Sequence, residues 1–235
     1  HALTDRAEPP CPDALFPNNW VSLHADGTAV LYPMLAPNRR LERRPELLAE
    51  LGQRGGFRIE RLLDLTYHEL QGRFLEGTGS VVFDHPSRVA YACLSPRSDA
   101  DVLRELCAEI GYEPVVFNAT GPAGAPVYHT NVMLAIGRRF VVVCADAIPA
   151  GQRGALLARL GRIMGREFLD DALRIEAAKE AMAVHGFAAL PTLHRNDAAQ
   201  QFLFVNGRPV RDRLLLGAVR AAYGDLVPKG RQPLF

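Results

Sequence analysis

The apolar runs of this chain are short, and that limits its sheets more than any other feature. Ala29–Tyr32 (AVLY), Ser80–Phe83 (SVVF), Val115–Phe117 and Phe140–Cys144 (FVVVC) carry β-branched side chains and are closed by turn formers, the pattern of brief strands. Between them, Pro45–Gly52 and Ser98–Gly111 space their apolar residues as helices do. In the second, Ser98 is expected as the cap, Val102, Leu103, Leu106 and Ile110 as the packed face, and Gly111 as the stop. Ala119–Pro126 (ATGPAGAP) is too rich in Gly and Pro for regular structure. The class is α/β, with strands too short for a doubly wound sheet. No strand runs into a GxGxxG turn, so a dinucleotide fold has no support.

From Gln152 a helix is expected through Leu156, Leu160, Met164 and Phe168, across Gly161 and Gly165. Strands follow at Leu173–Ala177, Met182–Ala188 and Gln201–Val205, the last ending in Asn206-Gly207, a strong two-residue hairpin signal. Asp212 then caps a helix with Leu215, Leu216, Val219 and Tyr223 on one side. Charge divides unevenly. Residues 1–160 hold 16 basic and 18 acidic side chains, whereas residues 161–235 hold 11 basic and 8 acidic. The sign of that difference fits a nucleic-acid partner for the second part only.

No apolar run approaches the roughly 20 residues that span a bilayer, and the polar start HALTDRAEPP is no signal peptide. A cytoplasmic protein without membrane partners is expected. Cys11, Cys93, Cys107 and Cys144 form no CxxC pair, and neither a metal nor another cofactor is expected. Cys93 and Cys144 read as core residues, Cys107 as part of the packed helix face with Leu103 and Ile110.

Three polar clusters carry candidate chemistry: PNNWVSLHADG (Pro17–Gly27), FLEGTGS (Phe74–Ser80) and VYHTNVM (Val127–Met133). A carboxylate among glycines, such as Glu76, can approach a planar substrate closely. A histidine such as His129 can move a proton near neutral pH. With LYPM, NRRLERR and LSPRS in the same order, residues from about Asn18 to Leu160 resemble the guanidine-modifying superfamily of arginine deiminases and amidinotransferases, in its citrulline-utilising hydrolase branch. The resemblance implies about half of a five-bladed, pentein-like α/β propeller. It implies Asp26 and Glu76 as the carboxylates that grip a ureido or guanidino substrate, His129 as the general acid/base, and Asn19 and Asn131 as binding residues. Arginine deiminases have His-x-Asp where this chain has His129-Thr130-Asn131, so a neutral ureido group is the better match. The family's nucleophile is a cysteine in a glycine-rich segment near the end of the propeller. No such segment follows Leu160, so an inactive hydrolase fragment is expected. A half propeller is also expected to leave sheet edges open.

GFAALPT (Gly186–Thr192) and QFLFVNGRPVRDRLLLGAVRAAYGDL (Gln201–Leu226), preceded by IMGREFLDDAL, resemble the MutL family of DNA mismatch-repair proteins from about Arg162 onward. The resemblance implies part of a transducer-like, ribosomal S5 domain 2-like α/β domain, with Arg208, Arg211 and Arg213 as candidate DNA-phosphate contacts. The family's ATP-binding elements are absent, so no ATPase is expected. The chain reads as a composite of two fragments, divided at 160/161.

Overall fold

The computed structural model describes residues 11–137, 140–164, 166–180, 182–205 and 208–235. They form two compact units. The first holds residues up to 136 together with 142–154, the second 137–141 together with 155–235.

In the first unit, β1 (Val21–Leu23) and β2 (Thr28–Leu31) form an antiparallel hairpin. After α1 (Pro37–Arg40) and α2 (Glu46–Gly55), β3 (Arg61–Asp64) lies parallel to β2. A helical turn, α3 (Gly77–Ser80), leads to the same pattern again. β4 (Val82–Asp84) and β5 (Val89–Cys93) form a hairpin, α4 (Ala100–Ile110) crosses over, and β6 (Glu113–Phe117) lies parallel to β5. The unit thus repeats one strand–strand–helix–strand arrangement, and β7 (Leu134–Ile136) with β8 (Val141–Val143) forms a further pair.

The central strand of each sheet explains the core. β2 is buried on both faces, and alternate side chains point opposite ways. Ala29 and Leu31 pack with Trp20, Met34 and Leu48, while Val30 and Tyr32 join Leu65, Leu75 and the apolar face of α4. β5 is likewise buried throughout, as a strand covered on two sides must be. On α4, Val102, Leu103, Leu106, Cys107 and Ile110 are all buried, as their spacing predicts, and Gly111 ends the helix in the left-handed region at φ 70°. The cap is one residue from its expected place. The Asp99 carboxylate accepts the N–H groups of Asp101 and Val102 at 2.8 and 3.1 Å, whereas the Ser98 hydroxyl is buried without a partner. An ionised side chain at the helix start outcompetes a hydroxyl because it also faces the positive end of the helix dipole. Asp99→Ala should therefore lower the unfolding free energy by about 1 kcal/mol, and Ser98→Ala should leave it unchanged or raise it; chemical denaturation of the two variants compares them.

Two further expectations are corrected. The strand expected from Ser80 starts only at Val82, because Ser80 closes α3. Cys144 is exposed rather than in the core, since β8 ends at Val143 and a 3-10 turn begins at once.

In the second unit, α5 (Ala150–Met164), which starts in the first, and α6 (Arg166–Asp171) occupy the stretch expected as one helix. β9 (Ala172–Lys179) and β10 (Met182–Ala189) form an antiparallel ribbon. β11 (His194–Arg195) pairs with the final strand β14 (Gln232–Pro233), and β12 (Leu203–Val205) with β13 (Arg208–Val210). The Asn206-Gly207 turn lies outside the described residues; Val205 stands opposite Arg208. Asp212 caps α7 (Arg213–Tyr223) through the Leu215 N–H at 2.9 Å, as expected. Leu215 itself is exposed, whereas Leu216, Val219 and Tyr223 are half-buried. A small core joins Ala189, Leu193 and Leu234, with Phe168 against it. No described helix is long and apolar enough to cross a membrane.

Candidate active site

The site is built in the first unit where five chain segments meet. Glu76 precedes α3, and its own N–H is held by the Ser80 hydroxyl and the Arg97 carbonyl at 3.0 and 3.2 Å. Ser80 in turn donates to that carbonyl at 2.7 Å. The turn can be this tight because its glycines carry no side chains. Gly77 has φ +44°, and a Cβ there would lie 2.1 Å from the Asn18 carbonyl oxygen. At Gly79 a Cβ would lie 2.7 Å from Asn19 Nδ2 and 2.9 Å from His129 Nδ1. Gly79 therefore leaves the space in which Asn19 and His129 approach the same point.

His129 arrives on a separate strand-like segment, pinned by its neighbour. The Thr130 hydroxyl donates to the Ser80 carbonyl at 2.6 Å and accepts the Cys93 N–H at 2.7 Å. His129 Nε2 and Glu76 Oε2 are then 2.7 Å apart. Arg97 Nη1 spans both Glu76 oxygens at 3.2 and 3.0 Å, and the Leu35 N–H reaches Oε1 at 3.0 Å. Glu76 is fully buried. Burial alone would raise its carboxyl, but the bonds from His129, Arg97 and Leu35 together outweigh it and hold the group below the usual glutamate value. An ionised Glu76 can only accept, so the proton of a neutral His129 sits on Nε2, and Nδ1, on the Gly79 side, is the basic nitrogen.

The NRRLERR segment braces this centre. Arg40 donates to the Met34 and Leu35 carbonyls at 2.8 and 3.2 Å. Arg43 pairs with Glu69, which accepts the Met34 N–H at 2.8 Å. Arg39 pairs with Glu42 at 2.9 Å. These arginines are committed to chain carbonyls and carboxylates that fix the segment supplying the Leu35 N–H.

Of the expected site residues, Glu76, His129 and Asn19 come together, Asn19 being buried beside Gly79. Asn131 follows Thr130 and is exposed, on the rim of a hollow lined also by Thr78, Phe83 and His85. Asp26 is exposed in the β1–β2 turn, whose His24 packs edge-on against Phe83 at 5.6 Å. The Thr28 N–H at 2.9 Å holds its carboxyl below the usual value, and nearby His24 is pushed below its own usual value, chiefly by burial. Arg211 and Arg213, in the second unit, are exposed; the Arg208 side chain lies outside the described residues. Sequence reasoning missed Arg97, although LSPRS was singled out, and also missed Ser80 and Thr130, which hold the two loops together. Among the described residues, no three His, Cys, Asp or Glu side chains converge to hold a metal ion.

Comparison with known proteins fits this architecture. Residues 1–168, most of the chain, match the model of the eukaryotic N,N dimethylarginine dimethylhydrolase family. The chain belongs to that family. Residues 160–235 match a second model, the DNA mismatch repair protein C-terminal domain. The chain is therefore chimeric, with a hydrolase-family part followed by a MutL-like part. The DNA mismatch repair protein MutL of Phenylobacterium zucineum is 57 % identical over 98 residues, 42 % of this chain and 15 % of that protein. That of Bradyrhizobium sp. is 40 % identical over 151 residues, 63 % of this chain and 22 % of that protein. The chain thus spans about a seventh to a fifth of these relatives. Among solved structures, the product-bound N-terminal domain of ArgZ, a cyanobacterial arginine dihydrolase, has a TM-score of 0.51 at 20 % identity. It covers 65 % of this chain and 51 % of that domain, a likeness of fold. A second pair, substrate-bound ArgZ, gives 0.50 at 20 % identity.

Proposed function

We propose that the first part is about half of a pentein-like propeller that binds a ureido or guanidino group without hydrolysing it. The observation that carries this reading is the 2.7 Å bond between Glu76 and His129, packed closely against the glycine turn of α3. The repeated strand–strand–helix–strand unit supports the propeller, each repeat standing for one blade. Within this reading His129 Nδ1 serves as general acid/base, Asn19 and Asn131 present amides to the substrate, and Asp26 contributes a second carboxylate. Glu76 acts as a positioning residue, because its oxygens are already engaged by His129, Arg97 and Leu35. The Arg97 guanidinium neutralises Glu76, so a second cation gains little there and a neutral ureido group is favoured.

Attack on the central carbon needs a thiolate. Burial pushes the Cys93 thiol up to about 11 and the Cys107 thiol up to about 12, so both stay protonated at neutral pH. Neither buried thiol can then serve as the nucleophile, and the purified chain is expected to release no product from citrulline, arginine or agmatine. In calorimetry it should bind citrulline more tightly than arginine, and His129→Ala should weaken that binding. Tighter arginine binding, or turnover that Cys93→Ser or Cys144→Ser abolishes, would overturn the reading.

A second reading rests on the MutL-like part, taken as residues 161–235 and a partial S5-like domain. Arg211 and Arg213 are exposed on either side of the Asp212 cap, with Arg208 close in sequence, and they form a candidate phosphate-binding patch. Arg220, exposed two turns on, donates to Gln201 Oε1 at 3.0 Å and keeps its charge beside the patch. Duplex DNA should bind weakly and without sequence preference, with log affinity falling against log salt at a slope of about −2 to −3. Arg213→Glu should remove about one unit of that slope. Arg153→Glu should remove none, since Arg153 is tied to the Ile148 carbonyl at 3.0 Å. Salt-independent binding would identify these arginines as an ordinary solvated surface.

A further inference from the structure

The ribbon of β9 and β10 stands open along almost its whole length. Leu173, Ile175 and Ala177 share one face with their cross-strand partners Ala188, Gly186 and Val184. Leu173 is 56 % and Val184 62 % exposed, an unusual amount of apolar surface for paired strands. The other face carries Arg174 and Glu176, bonded to each other at 3.1 Å. Among the described residues no third strand joins β9, so its outer edge offers unpaired backbone groups. A two-stranded ribbon is marginal by itself and gains from further strands.

We propose that the outer edge of β9 is a self-association surface, pairing antiparallel with β9 of a second copy about a two-fold axis through Ile175. Charge selects this register. A two-fold axis normal to the sheet keeps each face on its own side, so it must pass through a residue rather than between two. An axis at Arg174 or at Glu176 would set that side chain against its own copy, and like charges directly opposite are unfavourable. At Ile175, Arg174 lies opposite Glu176, Leu173 opposite Ala177, and Asp171, at the end of α6, opposite Lys179. Each charge pair occurs twice by symmetry and no like charges meet. The result is a four-stranded sheet with β10 on both outer edges and a continuous apolar stripe from Val184 through Ile175 to the partner's Val184.

Sedimentation equilibrium of the full chain tests this, with circular dichroism confirming that each variant is folded. The expected result is a monomer–dimer equilibrium. Arg174→Glu and Glu176→Arg, separately, set like charges opposite each other twice per dimer, and each should weaken association about tenfold. The two substitutions together exchange the pairs and should restore it. Ile175→Lys places two ammonium groups at the axis and should leave monomer only. A chain that is monomeric up to its solubility limit would overturn the proposal. So would a dimer indifferent to these substitutions, which would put the contact elsewhere, or a double variant no tighter than the single ones.

Discussion

Glu76→Ala is expected to lower the unfolding free energy of the first unit by about 3–5 kcal/mol, the cost of removing one partner from a buried charge pair. The variant leaves the Arg97 guanidinium, the His129 ring and the Leu35 N–H facing a cavity that holds no acceptor. Glu76→Gln keeps an acceptor of the same shape and should cost less. The effect depends on pH with a definite sign. The folded-state carboxyl lies below its unfolded value, so its contribution is complete above the ordinary glutamate value of about 4.3 and is lost as pH falls through the folded value. Denaturation curves of the wild-type and Ala chains should therefore be well separated at neutral pH and converge in acid. A separation that is constant with pH would mean that Glu76 contributes through packing alone.

Gly77→Ala comes next in size. Its new methyl would meet a backbone carbonyl at 2.1 Å, which no rotamer change can relieve, and φ is +44°. Overpacking of about 1–3 kcal/mol adds to a left-handed cost of about 1–2 kcal/mol. Gly124 is the control: φ is +77° but the space around it is open, so Gly124→Ala should cost only the backbone part. Gly79→Ala is different again, because its methyl would meet not backbone but the Asn19 amide and the His129 ring that bonds Glu76. It should weaken citrulline binding more than it lowers the melting temperature. Equal losses for Gly77→Ala and Gly124→Ala would show that the approach of Asn18 is not as close as the geometry gives.

Legibility differed between elements for physical reasons. α2, α4 and α7 could be read because one-sided apolar spacing and a terminal cap or glycine leave a local signature. β3 could not, since Arg61-Leu62-Leu63-Asp64 has neither alternation nor β-branched residues and becomes a strand only by lying beside β2. Cys144 was misplaced because an apolar run does not say where the strand stops. The site was harder still. Glu76 and His129 are 53 positions apart and Arg97 is 21 from Glu76, so no local pattern links them. Family resemblance supplied Glu76 and His129, but it could not tell that Arg97 and the Leu35 N–H bond the same carboxylate as His129. The Thr28 N–H on the Asp26 carboxylate, a bond within one turn, was equally outside what the resemblance could tell.

The buried thiols of Cys93 and Cys107 give this chain a built-in clock. One lies on β5 and the other on α4, and neither can meet an alkylating reagent while its element is closed. Cys144, by contrast, is open and should be modified at once. When reclosing is fast relative to alkylation, the lag of each buried thiol behind Cys144 measures the free energy of its local opening. If strand and helix open as one body, the two lags will coincide at every denaturant concentration. If α4 peels away first, Cys107 will be labelled while Cys93 is still protected, and the order in which the repeat comes apart can be read from a mass spectrum.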